Sequence, residues 1–160
     1  AGVSGGPVRD DAQPAAMNGF VDDYLAYLLA RASHLISSEF HAVVEASGLS
    51  LMEWRVMASL SGKEALSIQA LADIVLAKQP TVTKLVGRMQ EAGWVLRRDA
   101  AHDRRQSLVS LTAAGRQKIK KLLRQAKQHE QGVLAQLGPQ AAEQLKAVLQ
   151  RLIEQHQGAA

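Results

Sequence analysis

The chain has 160 residues, 47% of them hydrophobic, enough for one buried core and too few to require two independent domains. Lys and Arg number 19 against 15 Asp and Glu, a net charge of +4 that favours a polyanionic partner if the cations cluster. The absence of cysteine excludes disulfides, thiolate metal sites and thiol redox sensing, while short, charge-broken apolar runs and the lack of a basic-then-apolar leader point to a soluble cytoplasmic protein with no membrane partner.

Residues 1–17 are rich in Gly, Pro, Ala and Asp without apolar periodicity, and are expected to form a flexible N-terminal segment. From Asn18 to about Ala46, Phe20, Tyr24, Leu28, Leu35, Phe40 and Val44 recur at spacings near three or four, which predicts a long amphipathic helix closed by Gly48. Ser50-Leu51-Met52-Glu53 has capping-box spacing, so a second helix should run from Leu51 to about Leu60 with Trp54, Met57 and Leu60 on its buried side. Ser61-Gly62-Lys63 breaks it, and Ser67 can cap a short helix through Val75.

After Leu76-Ala77-Lys78, Pro80 stands where a first turn tolerates its missing amide, so another helix should extend to about Ala92 and stop at Gly93. Trp94-Val95-Leu96-Arg97-Arg98 and Ser107-Leu108-Val109-Ser110-Leu111 then read as two strands of a hairpin with a charged tip. Thr112 can cap a long helix rich in Lys, Arg and Gln through roughly Gly132, and Gly138-Pro139 separates it from a final helix ending near His156.

A bracing helix, a tight turn, a second helix and a basic hairpin are the parts of a reader of double-stranded DNA. The expected fold is mainly α, or α+β when the hairpin is counted: a winged helix-turn-helix lobe over 50–111 with N- and C-terminal dimerisation helices over 18–49 and 112–160. Apolar stripes on the terminal helices, including Ile119, Leu122, Leu145, Val148 and Leu152, predict a homodimer that presents two readers to a pseudo-palindromic site.

The sequence is similar to the MarR-type winged helix-turn-helix regulators from about Phe20 to His156. The similarity is strongest in Leu71-Ala72-Asp73, in the run from Lys78 to Met89, in Asp103-Arg104-Arg105 and in Leu111-Thr112-Ala113-Ala114-Gly115. The resemblance implies a triangular dimer with reading lobes at two corners and repression relieved by a small ligand. It also implies that Asp103 orients the wing arginine and that Arg105 reaches the minor groove. A carboxylate two residues before an Arg on a tight tip can hold the guanidinium extended, in keeping with that role.

On the helix beginning near Pro80, Val82, Leu85, Val86 and Met89 should face the core, leaving Gln79, Thr81, Thr83, Lys84 and Arg88 for DNA. Gln79 and Thr81 are the best candidates for base edges, while Thr83, Lys84 and Arg88 could read bases or clamp phosphates. Lys78 adjoins this set, and Arg97, Arg98, Arg104 and Arg105 cluster within one short hairpin, as a backbone contact requires.

A sensor is expected on the first long helix, where His34, Ser38 and His41 share one face. With Trp54 and Met57 from the second helix, and Arg31 available to an anion, they suit a small aromatic acid or phenol, and the resemblance to the MarR-type regulators extends the expected class to a hydroxypyridine carboxylate. Metal sensing is the competing use of His34 and His41 and makes a metal-responsive DNA-binding regulator the alternative, but their spacing separates the imidazoles by about 10 Å along the axis, too far to share an ion without local distortion. His102, His129 and His156 are assigned solvated or interfacial roles. No cofactor or metal is expected, and no Gly-rich phosphate loop or Ser-His-acid arrangement supports an enzyme. A helical protein-interaction module would leave the basic wing unexplained.

Overall fold

The computed structural model describes residues 19–100 and 103–158, with the backbone alone for residues 100 and 103–105. The N-terminal segment 1–17 and His102, both assigned from sequence, lie outside the described residues. The described residues fall into two compact units, divided between Leu35 and Ile36.

In the first unit the expected continuous helix from Asn18 is interrupted. A 3-10 turn spans Phe20–Asp23, Tyr24 is extended, and the α-helix proper, α1, begins afterwards and runs Leu25–Ala46 into the second unit. Asp22 explains the break, because its carboxylate accepts from the Gly19 N–H at 2.8 Å and closes a local turn in place of a longer helix. Phe20 stacks on Tyr24 with ring centroids 5.0 Å apart, and Phe20, Tyr24, Leu25 and Leu28 remain exposed.

In the second unit Phe40 and Val44 of α1 enter the core. The helix α2 (Leu51–Leu60) starts with the anticipated reciprocal cap: Glu53 N–H donates to Ser50 Oγ at 3.1 Å and Ser50 N–H donates to Glu53 Oε1 at 2.9 Å. A two-residue strand β1 (Leu66–Ser67) precedes α3 (Ile68–Val75), whose first turn is capped by Ser67 Oγ accepting from Ala70 N–H at 3.0 Å. Then come α4 (Gln79–Glu91), β2 (Val95–Ala100), β3 (Asp103–Leu111), α5 (Ala113–Ala135) and α6 (Pro139–Gln157). Gly132 does not end α5 as the sequence pattern predicts; an interior glycine costs only about 1 kcal/mol, and the helix continues to Ala135.

The sheet has the order β1-β3-β2, antiparallel throughout. Leu66 pairs with Val109, a third strand beyond the expected hairpin. Val95 pairs with Leu111, and the register shifts between Asp99–Ser107 and Ala100–Asp103, an irregularity of the kind that twists a ribbon tip. The core beneath gathers Val56, Met57 and Leu60 of α2, Leu71 of α3, four residues of α4, Val95 and Val109 of the sheet, and Ile119 and Leu122 of α5.

Candidate nucleic-acid interface and sensor cavity

Four apolar side chains set the direction of α4. Val82, Leu85, Val86 and Met89 are all buried, so the opposite face presents Gln79, Thr81, Lys84 and Arg88 to solvent, with Thr83 half-buried at its edge. Lys84 and Arg88, four residues apart, share that face. Lys78 is the N-cap residue and is also exposed.

The turn between α3 and α4 bends at Leu76, which sits in the left-handed region at φ 58° with 91% of its surface exposed. A branched residue there costs about 1–2 kcal/mol, and nothing it buries compensates. Leu76→Asn is therefore expected to raise the melting temperature by a few degrees, about 2–4 °C per kcal/mol for a chain of this size, as read by circular dichroism.

At its far end α4 is tied to the wing. Gly93 adopts φ 85°, and the paired bonds from Gly93 N–H to Gln90 O and from Trp94 N–H to Met89 O, each 3.0 Å, complete a Schellman stop. The chain leaves directly into β2, whose outer edge is unpaired in the sheet. There Gln90 Oε1 accepts from the Arg97 N–H at 3.1 Å, so α4 itself occupies part of that edge. Arg97 and Arg98 are exposed, and neither they nor Lys78, Lys84 or Arg88 forms an ion pair among the described residues. The side chains of Asp103, Arg104 and Arg105 lie outside the described residues; the backbone places all three at the tip end of β3.

A cavity of about 270 Å³ opens between the second-unit part of α1, α2 and α5. Phe40 and His41 come from α1, Trp54 and Arg55 from α2, and His129 from α5. The rings form a continuous wall: Phe40 and Trp54 centroids are 5.7 Å apart, Phe40 and His129 5.9 Å. His129 Nε2 contacts Glu39 Oε2 at 2.8 Å. His41 Nε2 is buried with no hydrogen-bond partner among the described residues.

Of the residues assigned to a sensor from sequence, His41 and Trp54 line this cavity. Met57 does not: its side chain is fully buried among the core residues of the reader, 0% exposed. Ser38 is half-buried and outside the lining. Arg31 and His34 belong to the first unit. Arg31 Nη1 donates to the Tyr27 hydroxyl at 3.0 Å, which raises its already high pKa. Sequence reasoning missed Arg55 and assigned His129 a solvated or interfacial role; no local signal marks either, since the cavity exists only once α5 packs beside α1 and α2. Among the described residues no group of three or more His, Asp or Glu side chains could hold a metal ion, and no helix is long and apolar enough to cross a membrane.

A helix-turn-helix closed by a three-stranded antiparallel wing and flanked by long helices is the winged helix class. A family model described as MarR family matches residues 47–106, and a MarR family transcriptional regulator from Silicibacter pomeroyi DSS-3 superposes with a TM-score of 0.76 at 36% identity, covering 86% of this chain and 98% of that one. The chain belongs to the MarR family of transcriptional regulators. It is also similar to the homoprotocatechuate degradative operon repressor of Escherichia coli, 26% identical with 82% of this chain and 88% of the relative covered. The transcriptional activatory protein BadR of Rhodopseudomonas palustris is 30% identical, with 67% and 62% covered.

Proposed function

We propose that this protein is a homodimeric, ligand-responsive repressor of the cytoplasm that holds a pseudo-palindromic operator through α4 and the wing, and releases it when a small aromatic acid or phenol enters the cavity walled by Phe40, Trp54 and His129. The observation that carries the DNA half is α4 itself: one face is wholly in the core, the other presents Gln79, Thr81, Lys84 and Arg88, and the strand bonded to Gln90 of α4 exposes Arg97 and Arg98. The exposed apolar residues Leu25, Leu28 and Leu29 of α1 and Leu145, Val148 and Ile153 of α6 supply surface for a second copy.

The effector half rests on the buried, unpartnered His41 Nε2 within an aromatic-walled cavity. A buried polar atom without a partner costs about 1–3 kcal/mol, which a ligand carboxyl or hydroxyl would recover. The similarity to a repressor of a homoprotocatechuate degradative operon supports an aromatic acid as the class. Only a ligand with different affinity for the DNA-bound and free forms can release DNA.

Fluorescence anisotropy with DNA from the protein's own upstream region, against scrambled DNA at two salt concentrations, tests both halves. Preference for the native sequence that homoprotocatechuate or another aromatic acid abolishes is the expected result; equal binding to both DNAs counts against the operator reading. His41→Leu separates the two roles. It removes the unpartnered nitrogen and is expected to keep DNA affinity, match or exceed the parent in thermal stability, and lose the response to aromatic acids. A retained response would place the effector elsewhere.

A further inference from the structure

A second cavity, of about 250 Å³, lies at the other end of α2, and nothing in the proposed regulation uses it. Its floor is entirely aliphatic: Leu60 ends α2, Leu111 ends β3, and Ile119 and Leu123 come from successive turns of α5. The rest of its lining is Ser61 and Gly62 with three cations, Lys63 from the turn after α2 and Arg116 and Lys120 from the first half of α5. No carboxylate lines it among the described residues, and none of the three cations is held in an ion pair there.

The local structure fixes this arrangement. After α2, Gly62 at φ 76° reverses the chain, and Lys63 N–H donates to Leu60 O at 3.1 Å, so the turn that carries Lys63 closes directly over Leu60. Arg116 Nη1 donates to Leu111 O at 3.0 Å, which anchors the guanidinium at the cavity mouth while leaving four of its N–H groups for another acceptor.

We infer that this cavity binds an aliphatic carboxylate: a hydrocarbon chain on the Leu60, Leu111, Ile119 and Leu123 floor, and a carboxylate met by Lys63, Arg116 and Lys120. The lining chooses the ligand. Free phosphate would leave the aliphatic floor unused, a neutral alkyl compound would leave the cations unused, and no aromatic ring is present to stack on a flat acid. An apolar cavity of about 150 Å³ already accepts benzene, so this one has room for a short alkyl chain. The site is separate from the aromatic-walled cavity, and either assignment can fail without the other.

Methyl-detected NMR of the full chain, titrated with sodium octanoate, tests it. Saturable shifts should centre on the methyls of Leu60, Leu111, Ile119 and Leu123, with octanoate binding roughly tenfold more tightly than 1-octanol and inorganic phosphate leaving these methyls unmoved. The surface variant Lys63→Gln/Lys120→Gln should weaken octanoate severalfold while leaving octanol unchanged. Leu123→Trp, which fills the cavity, should abolish both. Equal binding of octanol and octanoate, shifts centred on residues around Trp54, or no saturable shift would each overturn the assignment.

Discussion

Gly115→Ala is expected to destabilise the protein by about 3 kcal/mol, the upper end of what overpacking usually costs, and to lower its melting temperature by roughly 10 °C. A Cβ on Gly115 would lie 2.0 Å from the Trp94 carbonyl oxygen and 3.0 Å from the carbonyl carbon. That carbonyl cannot simply move away, because it accepts from Thr112 N–H at 3.1 Å. Thr112 Oγ1 in turn donates to Gly93 O at 2.6 Å, has Trp94 O within reach at 3.1 Å, and accepts from Gly115 N–H at 2.9 Å as the cap of α5. The start of β2 and the start of α5 are thus held by one set of bonds, and a methyl group would force them apart. Gly132→Ala on the same helix is the control: nothing lies within 4 Å of its added Cβ, so the expected change is a gain of up to about 1 kcal/mol. Thermal unfolding of the two variants side by side separates close approach from helix propensity.

Replacing Lys84 and Arg88 on α4 should have the largest effect on DNA binding, and an effect different in kind from replacing Gln79 or Thr81. If the two cations meet phosphates, each alanine substitution flattens the dependence of log affinity on log salt by about 0.9 for every phosphate contact it removes, because that phosphate is no longer neutralised. Affinity then falls alike for native and scrambled DNA. If Gln79 or Thr81 reads a base edge, its alanine variant keeps the salt slope and loses about 1–3 kcal/mol of discrimination. Anisotropy titrations over a salt series measure both. A Lys84→Ala/Arg88→Ala variant with an unchanged slope would mean that this face does not lie on the backbone.

The sequence discloses what short-range chemistry decides. Ser50 and Glu53 find each other within one turn, as do Ser67 and Ala70, and Pro80 can stand only at a helix start; these elements are legible to within a residue or two. The burial of Val82, Leu85, Val86 and Met89 follows from helical periodicity alone, and with it the polar face of α4. The two-residue strand β1 is not legible, because Leu66 becomes a strand only by pairing with Val109 on the far side of the helix-turn-helix. Nor is the interruption at Tyr24, where the Asp22 carboxylate competes for the Gly19 amide and apolar spacing carries no trace of that competition. Met57 and Trp54 illustrate the limit for the cavity: both are large apolar residues on α2, yet packing from other elements covers one completely and leaves the other half open.

The protein contains two tryptophans, and their placement divides the optical signal between two events. Trp54 lines the aromatic-walled cavity beside Phe40, so its emission is sensitive to an occupant there. Trp94 sits at the junction of α4, β2 and α5, with Lys118 Nζ 5.4 Å from its ring centre and that ammonium also bonded to Ser47 O at 2.9 Å. A shift of α5 relative to the wing would move a positive charge across the indole and change its colour. Two single-tryptophan forms of the chain therefore carry built-in, label-free channels, one for cavity occupancy and one for motion of the wing joint, whose relative timing can be compared in paired stopped-flow experiments.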